Sequence, residues 1–186
     1  MTTSFSYDVA VNGVWLSEHG AALYERNLPV LPETEDNTVK LANTDGVVDF
    51  GASYGPRTIG LTFEITSSAA EFHRTLAYLA RTFNAKRGEI TLEFADMPGK
   101  YYVATYAGTL ALGATGSRLI DVNLRMNDPW PTGSEVLTEY TIDTSWQAVA
   151  IESEADVRAR PVITMANTGV TTVNGFTLTN EYTLED

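Results

Sequence analysis

The chain of 186 residues contains no cysteine. That excludes a disulfide framework, thiolate metal ligation and a cysteine nucleophile. It has two histidines: His19 in a polar stretch before Gly20, and His73 on the flank of a helical apolar stripe. So placed, they read as surface residues rather than as a base or a metal-ligand pair. No apolar run approaches the roughly 18 residues of a membrane-spanning helix, so no membrane insertion is expected. Residues 1–8 have neither the basic flank nor the apolar stretch of a secretory signal. Cations are scarce: 12 Lys and Arg against 24 Asp and Glu leave a net charge of −12. Lys86-Arg87 is their only adjacent pair in residues 1–133. Such a surface repels a nucleic-acid duplex or an anionic membrane. Residues 134–186 are the more acidic part, with nine acids and two bases.

The motifs of common chemistry are missing too. Glu33, Glu35 and Asp36 lack the alternating ligands and glycine of a calcium loop, and read as a solvated loop. Asp45 and Asp49, around Gly46, fit turn positions. Gly108–Gly116 has neither dinucleotide-loop spacing nor a Walker lysine, and reads as two glycine turns flanking a short strand. No nucleophile elbow occurs. No catalytic, metal or cofactor-binding residue is assigned, and the chain is expected not to be an enzyme.

What is present is a β-rich pattern with one helix. Asn12-Gly13 lies between the apolar runs 8–11 and 14–16 and predicts a hairpin with a type I′ turn. Residues 27–56 are too long for a passive connection. With Val39-Lys-Leu41 and Val47–Phe50 as short strands, they predict an extended arm. In 57–65, Ile59, Leu61, Phe63 and Ile65 alternate with polar residues, a half-buried strand. Ser68-Ala-Ala-Glu71 fits a capping box, with Phe72, Leu76, Leu79, Ala80 and Phe83 as an apolar stripe and Gly88 as the C-terminal cap. These signals predict a helix over about 68–86. Strands at 89–94, 101–106, 109–112 and 118–126 follow, separated by turns at 97–99 and 113–116. The sum is an α+β domain, mainly antiparallel, with one flanking helix. Asn127-Asp-Pro-Trp-Pro-Thr-Gly133 marks a domain edge. We expect a domain over 1–131, then a β-rich C-terminal extension or reduced second domain over 132–186, with strands near 136–142, 161–165, 171–173 and 176–178.

Two surfaces are candidates for contacts between subunits. On the arm, Leu28, Val30, Leu31, Val47, Val48 and Phe50 need cover, from a neighbouring subunit or from the domain's own core. On the helix, Arg74, Tyr78 and Arg81 with Ala70 and Ala77 have an interface-like composition, although an ordinary exposed face carries similar residues.

The ordered set of features resembles a known family. After the N-terminal hairpin and the excursion come Asp45-Gly-Val-Val-Asp-Phe-Gly-Ala-Ser-Tyr-Gly-Pro-Arg-Thr-Ile-Gly-Leu-Thr-Phe63, one helix, Leu92-Glu-Phe94, Tyr101-Tyr-Val-Ala-Thr-Tyr106 and Asp128-Pro-Trp130. Over roughly residues 8–131 this order resembles the N-terminal, tail-tube-like domain of siphophage distal tail proteins. The resemblance implies a split β-barrel flanked by a helix. It also implies a virion structural role at the distal end of a phage tail, in host attachment and DNA ejection. There a homo-hexameric ring, single or stacked, joins the tail tube to the baseplate hub and to receptor-binding or side-fibre proteins. DNA crosses its lumen without specific binding, and an acidic inner wall is expected to favour that passage. Two departures stand out. Leu41-Ala-Asn-Thr-Asp45 replaces the family's frequent Pro-Gly-Arg turn. The C-terminal galectin-like domain is missing or reduced, since Ala159-Arg-Pro-Val-Ile-Thr-Met165 looks like its beginning but only 21 residues follow. Alternative readings are a tail-tube protein or a small β carbohydrate-binding module, with Trp15, Trp130 and Trp146 as stacking platforms. A hydrolase using clustered carboxylates is the least supported.

Overall fold

The computed structural model describes residues 7–111, 117–152 and 161–181. The chain divides into two compact units, Met1–Glu139 and Tyr140–Asp186.

In the first unit, β1 (Val9–Val11) and β2 (Val14–Trp15) form the expected hairpin. Asn12 and Gly13 take φ of 52° and 79°, the positive pair that a type I′ turn demands. The Asn12 side chain accepts from the Thr91 amide at 2.9 Å, fixing the turn to the next strand of the sheet. Strands β3 (Ala21–Asn27), β6 (Arg57–Ile65), β7 (Ile90–Phe94), β8 (Tyr101–Tyr106) and β9 (Leu119–Met126) complete a seven-stranded antiparallel sheet of order β2-β1-β7-β8-β9-β6-β3. β8 pairs with β7 through Tyr101–Ala104, but with β9 only through Thr105 and Tyr106. The sheet therefore has two halves joined at a corner, and the inward side chains of both meet in one core. Val9, Leu92 and Phe94 come from one half, and Ile59, Phe63, Ile120 and Leu124 from the other. The alternation read in β6 is the alternation observed: Ile59, Leu61, Phe63 and Ile65 are buried, and Thr58 and Glu64 exposed.

The helix is shorter than its end signals suggest. α1 spans Phe72–Thr82. The Ser68 hydroxyl meets the Glu71 carboxylate at 3.4 Å instead of a backbone amide, so the capping box is not formed and 68–71 remains a turn. At the other end Asn84 is extended, and its side chain accepts from the Lys86 amide. This starts a separate 3₁₀ turn, Ala85–Arg87, which holds Lys86 and Arg87 and is capped by Gly88. The buried face is also rotated. Leu79 and Phe83 are in the core as expected, but Ala80 is exposed and Thr75 is buried. Burial of Thr75 is tolerable because its hydroxyl bonds the His19 carbonyl at 3.2 Å and the Ser67 hydroxyl at 2.9 Å.

Residues 109–111 form no strand, and 112–116, with their expected turn, lie outside the described residues. No strand occurs among the described residues of 134–181, so the four expected there are not formed. In the second unit, side chains brace two local turns. Gln147 spans Asp143 and Thr141, and Asn167 bonds the Gly169 amide and the Thr171 carbonyl. Its large apolar residues lie open, Trp146 completely (100%).

Candidate functional site: the arm and its root

The expected arm exists, as a separate two-stranded sheet of β4 (Thr34–Val39) and β5 (Val48–Tyr54), but its first strand precedes the expected 39–41: Glu35 and Asp36, read as a loop, lie in β4 opposite Ser53 and Ala52. Their register runs from Thr34 opposite Tyr54 to Val39 opposite Val48, with a bulge in β5 between Asp49 and Ala52. Gly51 lies in the bulge at φ 90°, a conformation that suits glycine. Its amide donates to the Asp49 carboxylate at 2.8 Å. Asp49, expected in a turn, is instead a strand residue at the edge of the bulge, paired with Thr38.

Every residue of both strands is exposed. A lone two-stranded sheet is marginal in water without a hydrophobic face to pack. This one nonetheless carries Val39, Val48, Phe50 and Tyr54, with Leu41 and Val47 at its tip, and Phe50 is 69% exposed. Val30 and Leu31, on the approach to β4, are exposed as well. Leu28 differs: it packs against the core, so the domain itself covers it.

The root of the arm is built around Arg57, the first residue of β6 and only 6% exposed. Its guanidinium donates to the Pro29 carbonyl, to the Val30 carbonyl at 3.3 Å and to the Pro129 carbonyl at 3.3 Å. It also lies 5.9 Å from the Tyr102 ring centre. One side chain thus ties together the entry to the arm, the return strand and the Asp128-Pro-Trp130 exit. Beside it, Tyr54 and Trp130 meet edge to face at 5.3 Å, and the Trp130 amide donates to the Asp128 carboxylate at 3.2 Å. Gly55 closes the base of the hairpin by donating to the Glu33 carbonyl at 2.8 Å. The Tyr-Gly-Pro-Arg and Asp-Pro-Trp stretches, far apart in sequence, are therefore the two halves of one fastening. Neither Arg57 nor Trp130 stands out by composition or periodicity; the signal is their place in the ordered motif.

The helix residues form a second group. Arg74 is exposed. Tyr78 is half-buried against the core and stacks on His19, with ring centres 4.0 Å apart. Arg81 lies 5.7 Å from the Tyr78 ring. Tyr78 therefore already has partners in its own domain. No group of three or more metal-ligating side chains occurs among the described residues, and none of their helices is long and apolar enough to cross a membrane.

An antiparallel sheet in two halves with one short α-helix, and an arm carrying apolar residues outward, make a β domain with exposed apolar surface on its arm. The chain belongs to the family of phage tail protein RIFT-related domains, whose pattern it matches over residues 21–124, more than half of its length. No curated protein matches it. Among solved structures it is similar to the Dit protein of phage SPP1, described as a paradigm of the hub adsorption apparatus in phages infecting Gram-positive bacteria. The TM-score is 0.58 at 20% identity, covering 70% of this chain and 53% of that one. It also matches a chain of the activated phage p2 baseplate, with a TM-score of 0.47 at 12% identity, over 67% of this chain and 44% of that one. The chain thus spans about half the length of the SPP1 protein whose fold it shares. Its role is structural, in a phage tail.

Proposed function

We propose that the protein is the distal tail component of its particle. In this reading six copies form a ring, single or stacked, between the tail tube and the baseplate hub with its receptor-binding or side-fibre proteins. The observation that carries the reading is the arm: a fully exposed hairpin with apolar side chains, held at its root by a buried arginine, is a surface built to be covered by a neighbouring copy. Residues 1–131 would be the ring domain, with 132–186 as a C-terminal extension or part of a second domain. The solvent face of β3, β6 and β9 adds support. Glu25, Glu64 and Asp121 are exposed there against Arg125, and this excess, like the net charge of −12, would let DNA cross a lumen without sticking. A tail-tube protein is the second reading, favoured by the same fold and separated by its unlimited stacking.

Light scattering after size exclusion, across a concentration series, tests this. Six copies of 20.3 kDa give about 122 kDa, or twice that for two stacked rings. Growth without limit would favour the tube, and a monomer at every concentration would count against both.

A further inference from the structure

We propose that residues 161–180 are a donor segment, part of which becomes a β-strand only on the arm of a second copy of this chain. The segment, Pro-Val-Ile-Thr-Met-Ala-Asn-Thr-Gly-Val-Thr-Thr-Val-Asn-Gly-Phe-Thr-Leu-Thr-Asn, contains no charged residue. It is rich in Val and Thr, which suit strands, yet it forms none. Val162, Ile163, Met165, Val173, Phe176 and Leu178 are all exposed. An uncharged, β-prone, unpaired stretch is a liability that proteins normally interrupt with charges or prolines. Here only Pro161, at its start, does so.

The arm offers what this segment lacks. Among the described residues β4 and β5 pair only with each other, so each has an open edge there, and a donated strand can satisfy both its own backbone groups and theirs. Charge selects the occupant. Residues 33–54 hold five acids (Glu33, Glu35, Asp36, Asp45, Asp49) and one base, Lys40. Two arms laid edge to edge would set like charges against one another, whereas 161–180 brings none. The described part of the segment forms no strand of its own, and the pairing is proposed between copies; the cross-linking below separates it from pairing within one chain. Phe176 and Leu178, two residues apart, would share one face of the donated strand and cover apolar side chains of the arm. The inference goes beyond the ring: it holds for any number of copies from two upward, so a mass other than six copies would overturn the ring and leave the pairing standing, whereas a monomer at every concentration would overturn both.

Hydrogen exchange of the full chain as a function of its concentration tests the pairing. Amides in 162–178 and in 34–54 are expected to slow together, by about tenfold or more, as concentration rises. Phe176→Asp with Leu178→Asp, facing an acidic arm, should abolish the slowing in both segments. Thr177→Lys with Thr179→Lys should retain it. The absence of cysteine permits a second readout. Copies carrying Thr38→Cys, mixed with copies carrying Thr177→Cys, should be joined by a bifunctional maleimide. The proposal is overturned if one segment slows without the other, if neither slows at any concentration, or if protection is independent of concentration. It is equally overturned if cross-links form only when both cysteines are on one chain.

Discussion

At the scale of single residues, the decisive group is Arg57. A charge 94% removed from solvent costs energy unless its donors are satisfied; here backbone carbonyls of Pro29, Val30 and Pro129 take the two terminal nitrogens, while the buried Nε has no hydrogen-bond partner among the described residues. Arg57→Met should leave those acceptors unpaired and cost about 1–3 kcal/mol in urea unfolding. It should also speed amide exchange in 28–31 and 128–131. Unchanged exchange there would mean that the arginine fastens nothing. Arg26 and Asp96 show a different balance. They form a two-pronged ion pair at 2.7 and 2.8 Å, and Arg26 also lies 4.7 Å from the Phe94 ring centre. The hydrogen bond with Arg26 holds the Asp96 carboxyl below its usual range, and the same bond raises the guanidinium. A carboxylate with a lowered folded pKa stabilises above its unfolded pKa, and that contribution is lost as pH falls through the folded one. The pair is partly solvated, so Asp96→Asn should cost only about 0.2–1 kcal/mol at neutral pH. The gap to the unaltered protein should close below the carboxylate range. A gap that stays constant into acid would refute this account.

At the scale of elements, the helix shows how side-chain partners override end signals. Ser68 and Glu71 satisfy each other rather than the backbone, and Asn84 spends its side chain on the next turn, so α1 is confined to Phe72–Thr82. Its phase follows from Thr75, whose hydroxyl is satisfied inside, while the small Ala80 loses little by facing water. Leu79→Ala, at a fully buried position, should cost about 2–5 kcal/mol. Ala80→Lys should stay within about 0.5 kcal/mol. Equal losses in thermal or urea unfolding would restore Ala80 to the buried stripe. The arm is the opposite kind of element. Its register is local, but it buries no face of its own, so its stability must come from its root and from whatever covers it.

For the whole molecule, the two units differ in kind. The first has a core drawn from both halves of a bent sheet; the second has local turns and exposed apolar residues. In dilute solution, limited proteolysis should therefore cut first beyond residue 139 and leave the β domain intact. First cuts within β6–β9 would contradict this division. Beyond the two prolines of 129–131, Thr132 still pairs with Tyr101 on β8 at 2.8 Å, and the first unit runs to Glu139.

What the sequence determined by itself is what depends on neighbours along the chain. The Asn12-Gly13 turn, the two-residue alternation of β6 and β9, and the existence of one helix and of an arm are set by backbone preference and apolar period. The order of motifs carried the family as well. The tertiary structure alone decided what depends on partners distant in sequence. It gave Arg57 its three carbonyls, set Tyr54 against Trp130, buried Thr75 and packed Leu28, half-buried, against the core. Strand-like composition at 161–178 did not produce strands, because a strand needs an edge to pair with, and composition cannot supply one.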